Sequence, residues 1–349
     1  MIKSISIQNY KSVKELDIPV KRINIFIGEH NSGKSNILEA LTWFSLNSLE
    51  SKNFNEIFRF KTATDFFYDF DVTHPIEVRT GLLNLIIRYA KNANGALANS
   101  LEGLIYGSDS GFNPLTSDDF NNINNKFQNA KYHSFRLAFD GTIENVKGFF
   151  ESSFRTYTFK KLKSFENSFR PFLNPPFGEN IPSLLVSNRH YKDLVSSIFK
   201  EKGFRLMLKP TEGDINMAKD INDELYSYPY TAISETLQRV VFYVLAIESN
   251  KNSIIVLDEP ESNTFPMYTK QLAEMIALDG NENQYFIATH DPYLLNSLVS
   301  KTPVQDLAVF VTKMENYLTN AYLVNESDLA AVLDKGLDIY FNLNKIVNQ

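Results

Sequence analysis

The chain has 349 residues, 43% of them hydrophobic, with 28 Phe and 17 Tyr, enough for a sizeable core in one large domain or two ordinary ones. It lacks Cys and carries five scattered His without an H-E-x-x-H pattern, which excludes disulfides and thiolate metal sites and leaves little room for zinc. A net charge of −6 argues against a globally basic nucleic-acid binder. With no signal-peptide core at the start and no apolar run long enough to span a membrane, the expectation is a soluble, cytoplasmic protein.

Residues 1–28 alternate apolar and polar, with Ile2, Ile5 and Ile7, then Val13, Leu16 and Ile18, which predicts two short strands. Residues 23–27 form a β-branched and aromatic run that reads as a buried strand. Directly after it, Gly28-Glu29-His30-Asn31-Ser32-Gly33-Lys34-Ser35 matches the phosphate-binding loop G-x-x-x-x-G-K-[ST]. A helix is predicted over 34–48. Strand, glycine-rich loop and helix together make a phosphate cradle: Gly28 and Gly33 let the backbone wrap an anion, and the helix N-terminus adds partial positive charge. In that cradle Lys34 neutralises the β- and γ-phosphates, the Ser35 hydroxyl is a hard ligand for Mg²⁺, and Asn31, Ser32 and Asn36 complete the candidate nucleotide contacts.

From about 50 to 225 the pattern changes. Phe-rich segments alternate with Asn/Gly/Ser-rich ones at 92–100 and 107–125, with strands predicted over 76–89, 133–139 and 142–146, a helix over 182–201 and a hairpin at 204–208 and 215–219. Arg155, Lys160, Lys161, Lys163 and Arg170, interleaved with Phe154, Tyr157, Phe159, Phe165 and Phe169, are a candidate nucleic-acid patch, set against the plainer reading of a solvated helix face over a Phe-rich core. No repeat or heptad run is present, which argues against long coiled-coil arms.

After 230 the regular order returns. A helix is predicted over 235–249 with Ser234 as its N-cap. A wholly apolar strand over 253–257 ends in Asp258-Glu259-Pro260-Glu261, a helix covers 266–278, and a strand over 284–288 ends in Thr289-His290-Asp291-Pro292. The tail carries strands over 307–312 and 321–324 and short helices. This β-α-β-α-β order predicts an α/β fold, in which ligands bind at the carboxyl ends of strands. An acidic residue closing an apolar strand suits Asp258 to Mg²⁺ and Glu259 to general-base work on the γ-phosphate. His290, at the end of the next strand, suits a γ-phosphate sensor. A guanine-reading N-K-x-D is absent, so ATP is the expected nucleotide.

The loop continued by Asn36-Ile37-Leu38-Glu39-Ala40, the acidic Leu257-Asp258-Glu259-Pro260-Glu261 and the switch Ala288-Thr289-His290-Asp291 together resemble the ABC-type ATPase head of the SMC/RecF-like group. They are most similar to stand-alone OLD-like (overcoming lysogenization defect) AAA-family ATPases. Ile7-Gln8-Asn9-Tyr10-Lys11-Ser12-Val13 is similar to the first hairpin of such heads. The resemblance covers roughly 1–45 and 203–300. It implies a P-loop NTPase head with a mainly parallel core sheet, N-terminal antiparallel strands and a large α+β insertion, divided as 1–48 plus 203–349 for the head and 49–202 for an inserted lid or interaction subdomain. It implies a homodimer or higher homo-oligomer in which two heads sandwich two ATP molecules, each contacted by the signature serine of the opposite head. Ser234 in Ile233-Ser234-Glu235-Thr236-Leu237-Gln238-Arg239 is the matching serine, although Glu235-Thr236 replaces the usual glycine pair. Ser262-Asn263-Thr264 stands in the D-loop position. The stretch after His290 is too short for the Toprim nuclease of full OLD proteins, so the resemblance implies a separately encoded effector, a nuclease or toxin, in antiphage defence. The alternative is a DNA-binding repair ATPase; neither reading involves a membrane.

Overall fold

The computed structural model describes residues 1–48, 54–91, 97–108, 132–138, 142–148 and 152–329. The first hairpin pairs β1 (Ser4–Tyr10) with β2 (Val13–Pro19), and β3 (Ile23–Ile27) then enters the centre of the molecule, buried at every position. Its Ile23, Ile25 and Ile27 face one core and its Phe26 another. The apolar strands β13 (Ile254–Asp258), β14 (Gln284–Ala288) and β15 (Leu307–Glu315) divide their side chains between the same two cores, as a parallel sheet covered on both faces requires. This six-stranded sheet runs β16-β15-β3-β14-β13-β9. All its pairs are parallel except the edge strand β16 (Leu318–Leu323), and β9 (Phe154–Tyr157) closes the other edge.

On one face lies α1 (Lys34–Thr42), under a seven-stranded antiparallel sheet in the order β2-β1-β4-β5-β6-β7-β8. Its further strands are β4 (Ile76–Arg79), β5 (Leu83–Lys91), β6 (Leu97–Gly107), β7 (Tyr132–Ala138) and β8 (Ile143–Lys147). The other face is covered by α2 (Ile181–Ser187), α3 (Arg189–Lys200), α4 (Glu235–Glu248), α5 (Pro266–Ala277) and α6 (Pro292–Lys301). A small sheet of β10 (Arg205–Lys209), β11 (Asp214–Ile221) and β12 (Glu224–Pro229) precedes α4. No helix among the described residues is long and apolar enough to cross a membrane.

The expected α/β head is observed, with several local differences. The predicted 34–48 helix stops at Thr42 and tightens into a 3₁₀ segment, Trp43–Ser48. Strand 76–89 is two strands, reversed at Gly81 (φ +73°), where the Thr80 side chain bonds both backbone groups of Leu83. Helix 182–201 is two helices, because the Asn188 side chain caps the second by accepting from His190 and Tyr191 N–H. Strands β6, β9 and β12 are additional to the expected ones, β9 standing where a helix face is the plainer sequence reading. The tail beyond residue 329 and most of the loops expected at 92–100 and 107–125 lie outside the described residues.

Strand pairing also corrects the division at 48 and 203. β9 belongs to the parallel sheet, and β4 pairs with β1, so the segment 49–202 is woven into both sheets rather than set apart. Trp43 shows how the segment is held. It is fully buried, with its ring against Phe54, Phe58, Phe66 and Phe135. Trp43→Ala is expected to destabilise the fold by about 3–5 kcal/mol, read as a lower urea midpoint at unchanged slope.

Candidate active site

The order β3-β14-β13 brings three strand ends side by side. Phe26 of β3 is in register with Ala288 of β14, and Ala288 with Asp258 of β13. The loops that follow must therefore meet at one edge of the sheet.

The first loop is the glycine-rich one. Gly28 (φ +153°) and Gly33 (φ +95°) adopt conformations that disfavour L side chains. A Cβ on Gly28 would lie 2.3 Å from the Thr312 carbonyl, and one on Gly33 would lie 1.9 Å from Thr319 Oγ1, so β15 and β16 press directly on the loop. Asn31 also has positive φ (+59°). Ser32 is buried, its hydroxyl 3.1 Å from that of Thr312. Lys34, the first residue of α1, folds back and donates to the carbonyls of Gly28 (2.9 Å) and Glu29 (2.8 Å) and to Ser32 Oγ (3.3 Å). Burial lowers its ammonium to about 8, against the raising influence of Glu259 and Asp258.

Ser35, next along α1, faces Asp258, and its hydroxyl favours the carboxylate. Burial raises the Asp258 carboxyl, and its Oδ1 is buried without a hydrogen-bond partner. A desolvated carboxylate oxygen beside a serine hydroxyl fits a hard cation that takes its remaining ligands from water and phosphate. Among the described residues no cluster of three or more His, Asp or Glu could hold a metal ion by itself.

Glu259 follows with φ +47°, and its N–H donates to the Ala288 carbonyl across to β14 (2.9 Å). Its carboxylate accepts from Ser262 Oγ (3.2 Å) and lies 3.2 Å from His290 Nε2. The His290 ring stacks on His30 of the glycine-rich loop (centroids 4.4 Å apart), and its pKa is lowered, first by burial and then by Lys34.

The structure thus brings together Lys34, Ser35, Asp258, Glu259 and His290. Ser234 stands apart as the N-cap of α4, accepting from Leu237 N–H (3.4 Å). The adjacent Glu235 carboxylate turns to Arg239 (3.0 Å), and Thr236 donates to the Asn263 carbonyl (3.4 Å). The aromatic-basic patch is not one surface. Arg155 is buried in β9, its guanidinium bonded to the Ser152 and Phe154 carbonyls and stacked on Phe172, and Phe154 and Tyr157 are core residues.

Around the expected contact Asn36 stand residues to which the sequence reading gives no role. Asn36 donates to Ser12 (2.7 Å) and accepts from Arg59 (3.1 Å), and Arg59 also reaches Glu39 (3.2 Å), which accepts from Tyr10 and Lys11 as well. Lys11, Ser12, Asn36, Arg59, Tyr68 and Tyr317 border an open cavity of about 420 Å³ next to the first turn of α1. Glu261 is buried and accepts from the Thr289 hydroxyl and the His290 N–H (3.2 Å), with its carboxyl pushed up to about 7 by burial.

Comparison with known proteins gives three findings. A family model described as "AAA ATPase domain" matches residues 1–231. The DNA replication and repair protein RecF of Streptococcus agalactiae serotype V is 30% identical over 103 residues, 29% of this chain and 27% of that one, and RecF of Phocaeicola vulgatus is 33% identical over 88 residues, 24% of each. The matched stretch spans only about a quarter of these relatives. A solved SMC head, bound in its crystal to the C-winged helix domain of ScpA, is similar in fold, with a TM-score of 0.50, 14% identity, and coverage of 94% of this chain and 99% of that one.

Proposed function

This chain belongs to the AAA ATPase domain family, and from that premise we propose that it binds ATP with Mg²⁺ at the three strand ends and hydrolyses it within nucleotide-bridged dimers, acting as a molecular switch. The convergence of Lys34, Ser35, Asp258, Glu259 and His290 at the ends of β3, β13 and β14 carries the reading.

Lys34 exchanges its loop carbonyls for phosphate oxygens. Ser35 and Asp258 would hold Mg²⁺, which when bound neutralises charge across the β- and γ-phosphates. Glu259 takes a proton from water as the water oxygen bonds the γ-phosphorus and the bond to the β-phosphate breaks. Neutral His290, 3.2 Å from the Glu259 carboxylate, orients it. The cavity beside Asn36, with Tyr68 and Tyr317 on its rim, suits the base and ribose. Ser234, with Glu235 neutralised by Arg239, suits contact with the nucleotide of a second head.

The finer reading is an OLD-like ATPase serving a separate effector in antiphage defence, and it rests on the motif resemblance. The similarity to RecF favours a second reading, a DNA-dependent repair ATPase. Phosphate release from ATP by the purified protein is expected to require Mg²⁺, with the mass doubling in a non-hydrolysable analogue. Absence of both nucleotide binding and phosphate release would overturn the proposal. Turnover stimulated by duplex DNA, and lost with rising salt, would select the second reading.

A further inference from the structure

We propose that Glu261 is a positioning residue that ties the turn after β13 to the turn after β14, so that the arrangement of residues 262–264 sets where His290 stands. The inference rests on the ATPase reading above and concerns the control of that site.

Glu261 lies past the Asp258-Glu259 pair, and its side chain points under the next strand end. One oxygen, Oε1, accepts both the Thr289 hydroxyl and the backbone N–H of His290 (3.2 Å). Thr289 Oγ1 in turn accepts from Asp291 N–H (3.0 Å), and the Asp291 carboxylate caps α6 by accepting from Tyr293 and Leu294 N–H. Beside the Thr289 N–H bond to the Phe26 carbonyl (3.1 Å), the Glu261 carboxylate thus joins Thr289 and His290 and, through Thr289, Asp291.

The other end of Glu261 is equally committed. Its carbonyl accepts from both the N–H (3.0 Å) and the hydroxyl (2.6 Å) of Thr264, closing a turn over 261–264. Within that turn Ser262 holds Glu259, and the Asn263 carbonyl receives Thr236 from the first turn of α4. A continuous set of bonds thus runs from the helix that begins after Ser234, through residues 262–264 and Glu261, to His290. A rearrangement at either α4 or 262–264 is transmitted to the imidazole without passing through the nucleotide.

The placement is costly for a role in packing alone. Glu261 is only 7% exposed, and its second oxygen, Oε2, is buried without a partner. A buried polar atom without a partner is destabilising, and an apolar side chain of similar size would avoid that penalty. What an apolar side chain cannot do is hold two donors of the switch segment at one point.

The test is a double-mutant cycle on turnover. Glu261→Leu is expected to lower kcat about 100-fold, the scale of a misplaced reacting group, while ATP affinity stays within about threefold. Because Glu261 acts through His290, adding Glu261→Leu to His290→Ala should lower kcat by less than about twofold beyond His290→Ala alone. Thr289→Val should lose much of the turnover and Thr289→Ser should retain it, a pair that needs no change in Glu261 should Glu261→Leu fold poorly. Wild-type turnover in Glu261→Leu or in Thr289→Val, or losses that multiply in the double mutant, would overturn the inference and leave the ATPase reading standing. A wild-type chain that binds no ATP would overturn that reading and the inference with it.

Discussion

Glu259→Gln is expected to lower ATP turnover about 1,000-fold while leaving ATP affinity almost unchanged, since a positioned general base contributes roughly 10²–10⁴-fold. The substitution is conservative in this setting. The Glu259 main chain is fixed by its N–H bond to Ala288 and by a left-handed conformation that glutamine also tolerates in a tight turn. A glutamine amide oxygen still accepts from Ser262, and the amide NH₂ in the place of the second oxygen faces His290 Nε2, which accepts from it in the neutral ring. What disappears is basicity: an amide takes no proton from water at neutral pH. The prediction therefore separates binding from chemistry. Nucleotide affinity should stay within about twofold and kcat should fall at unchanged KM, the signature of an interaction used only in the transition state. Arrested turnover should also hold the ATP-bound species, so the variant is expected to elute as a stable dimer in ATP and as a monomer in ADP. Near-normal turnover in Glu259→Gln would remove Glu259 as the base. Glu261 is no substitute for it, because its carboxylate is buried beneath the Thr289–His290 turn.

How much of this site can be read from a sequence depends on how far apart in the chain its partners lie. The phosphate loop is legible because everything it needs is contiguous: a buried strand, two glycines that alone fit their φ values and spacing from β15 and β16, and a helix start. Asp258 and Glu259 are legible because a wholly apolar strand is buried on both faces, and a carboxylate closing it must be met by a cation or a donor. His290 repeats that placement one strand later. Glu261 is not legible in this way. Its partners are in the turn after another strand, and only the parallel register of β13 with β14 brings them under it. Arg59 is hidden for the same reason, since its bonds run to Asn36 and Glu39 on α1. Arg155 misleads in the opposite direction. Composition marks it as surface, yet carbonyls of its own turn and the face of Phe172 hold its guanidinium inside β9. The inserted segment reads as separate because it carries no motif, but pairing of β4 with β1 and β9 with β13 is a property of the folded sheets alone.

ATP affinity is expected to be nearly independent of pH just below about 8 and to weaken by about tenfold for each unit above it, because Lys34 titrates there in the free protein. The sign follows from the surroundings of the ammonium. In the free protein it is almost fully buried, and burial lowers its pKa from 10.5 to about 8, against the opposing pull of Glu259 and Asp258. A bound triphosphate places further negative charge beside Nζ and raises the pKa again. Between the two values the complex holds a proton that the free protein has lost, so binding takes up a proton and weakens as pH rises. Calorimetry in buffers of different ionisation enthalpy should detect that uptake above about 8. Other titrating groups of the site do not confuse the window, because burial leaves Glu261 at about 7 and lowers His290 below its ordinary 6.5. Lys34→Ala should bind about 100-fold more weakly, the scale of a lost charge-assisted hydrogen bond, and with no pH slope. Lys34→Arg keeps a charge that does not titrate here and should also lose the slope, while its planar fork fits the carbonyls of Gly28 and Glu29 poorly and weakens binding. A wild-type profile as flat as that of Lys34→Arg would mean that the lysine reaches the phosphates from water rather than from within the loop. The bonds to Gly28, Glu29 and Ser32 would then be no part of the binding cycle.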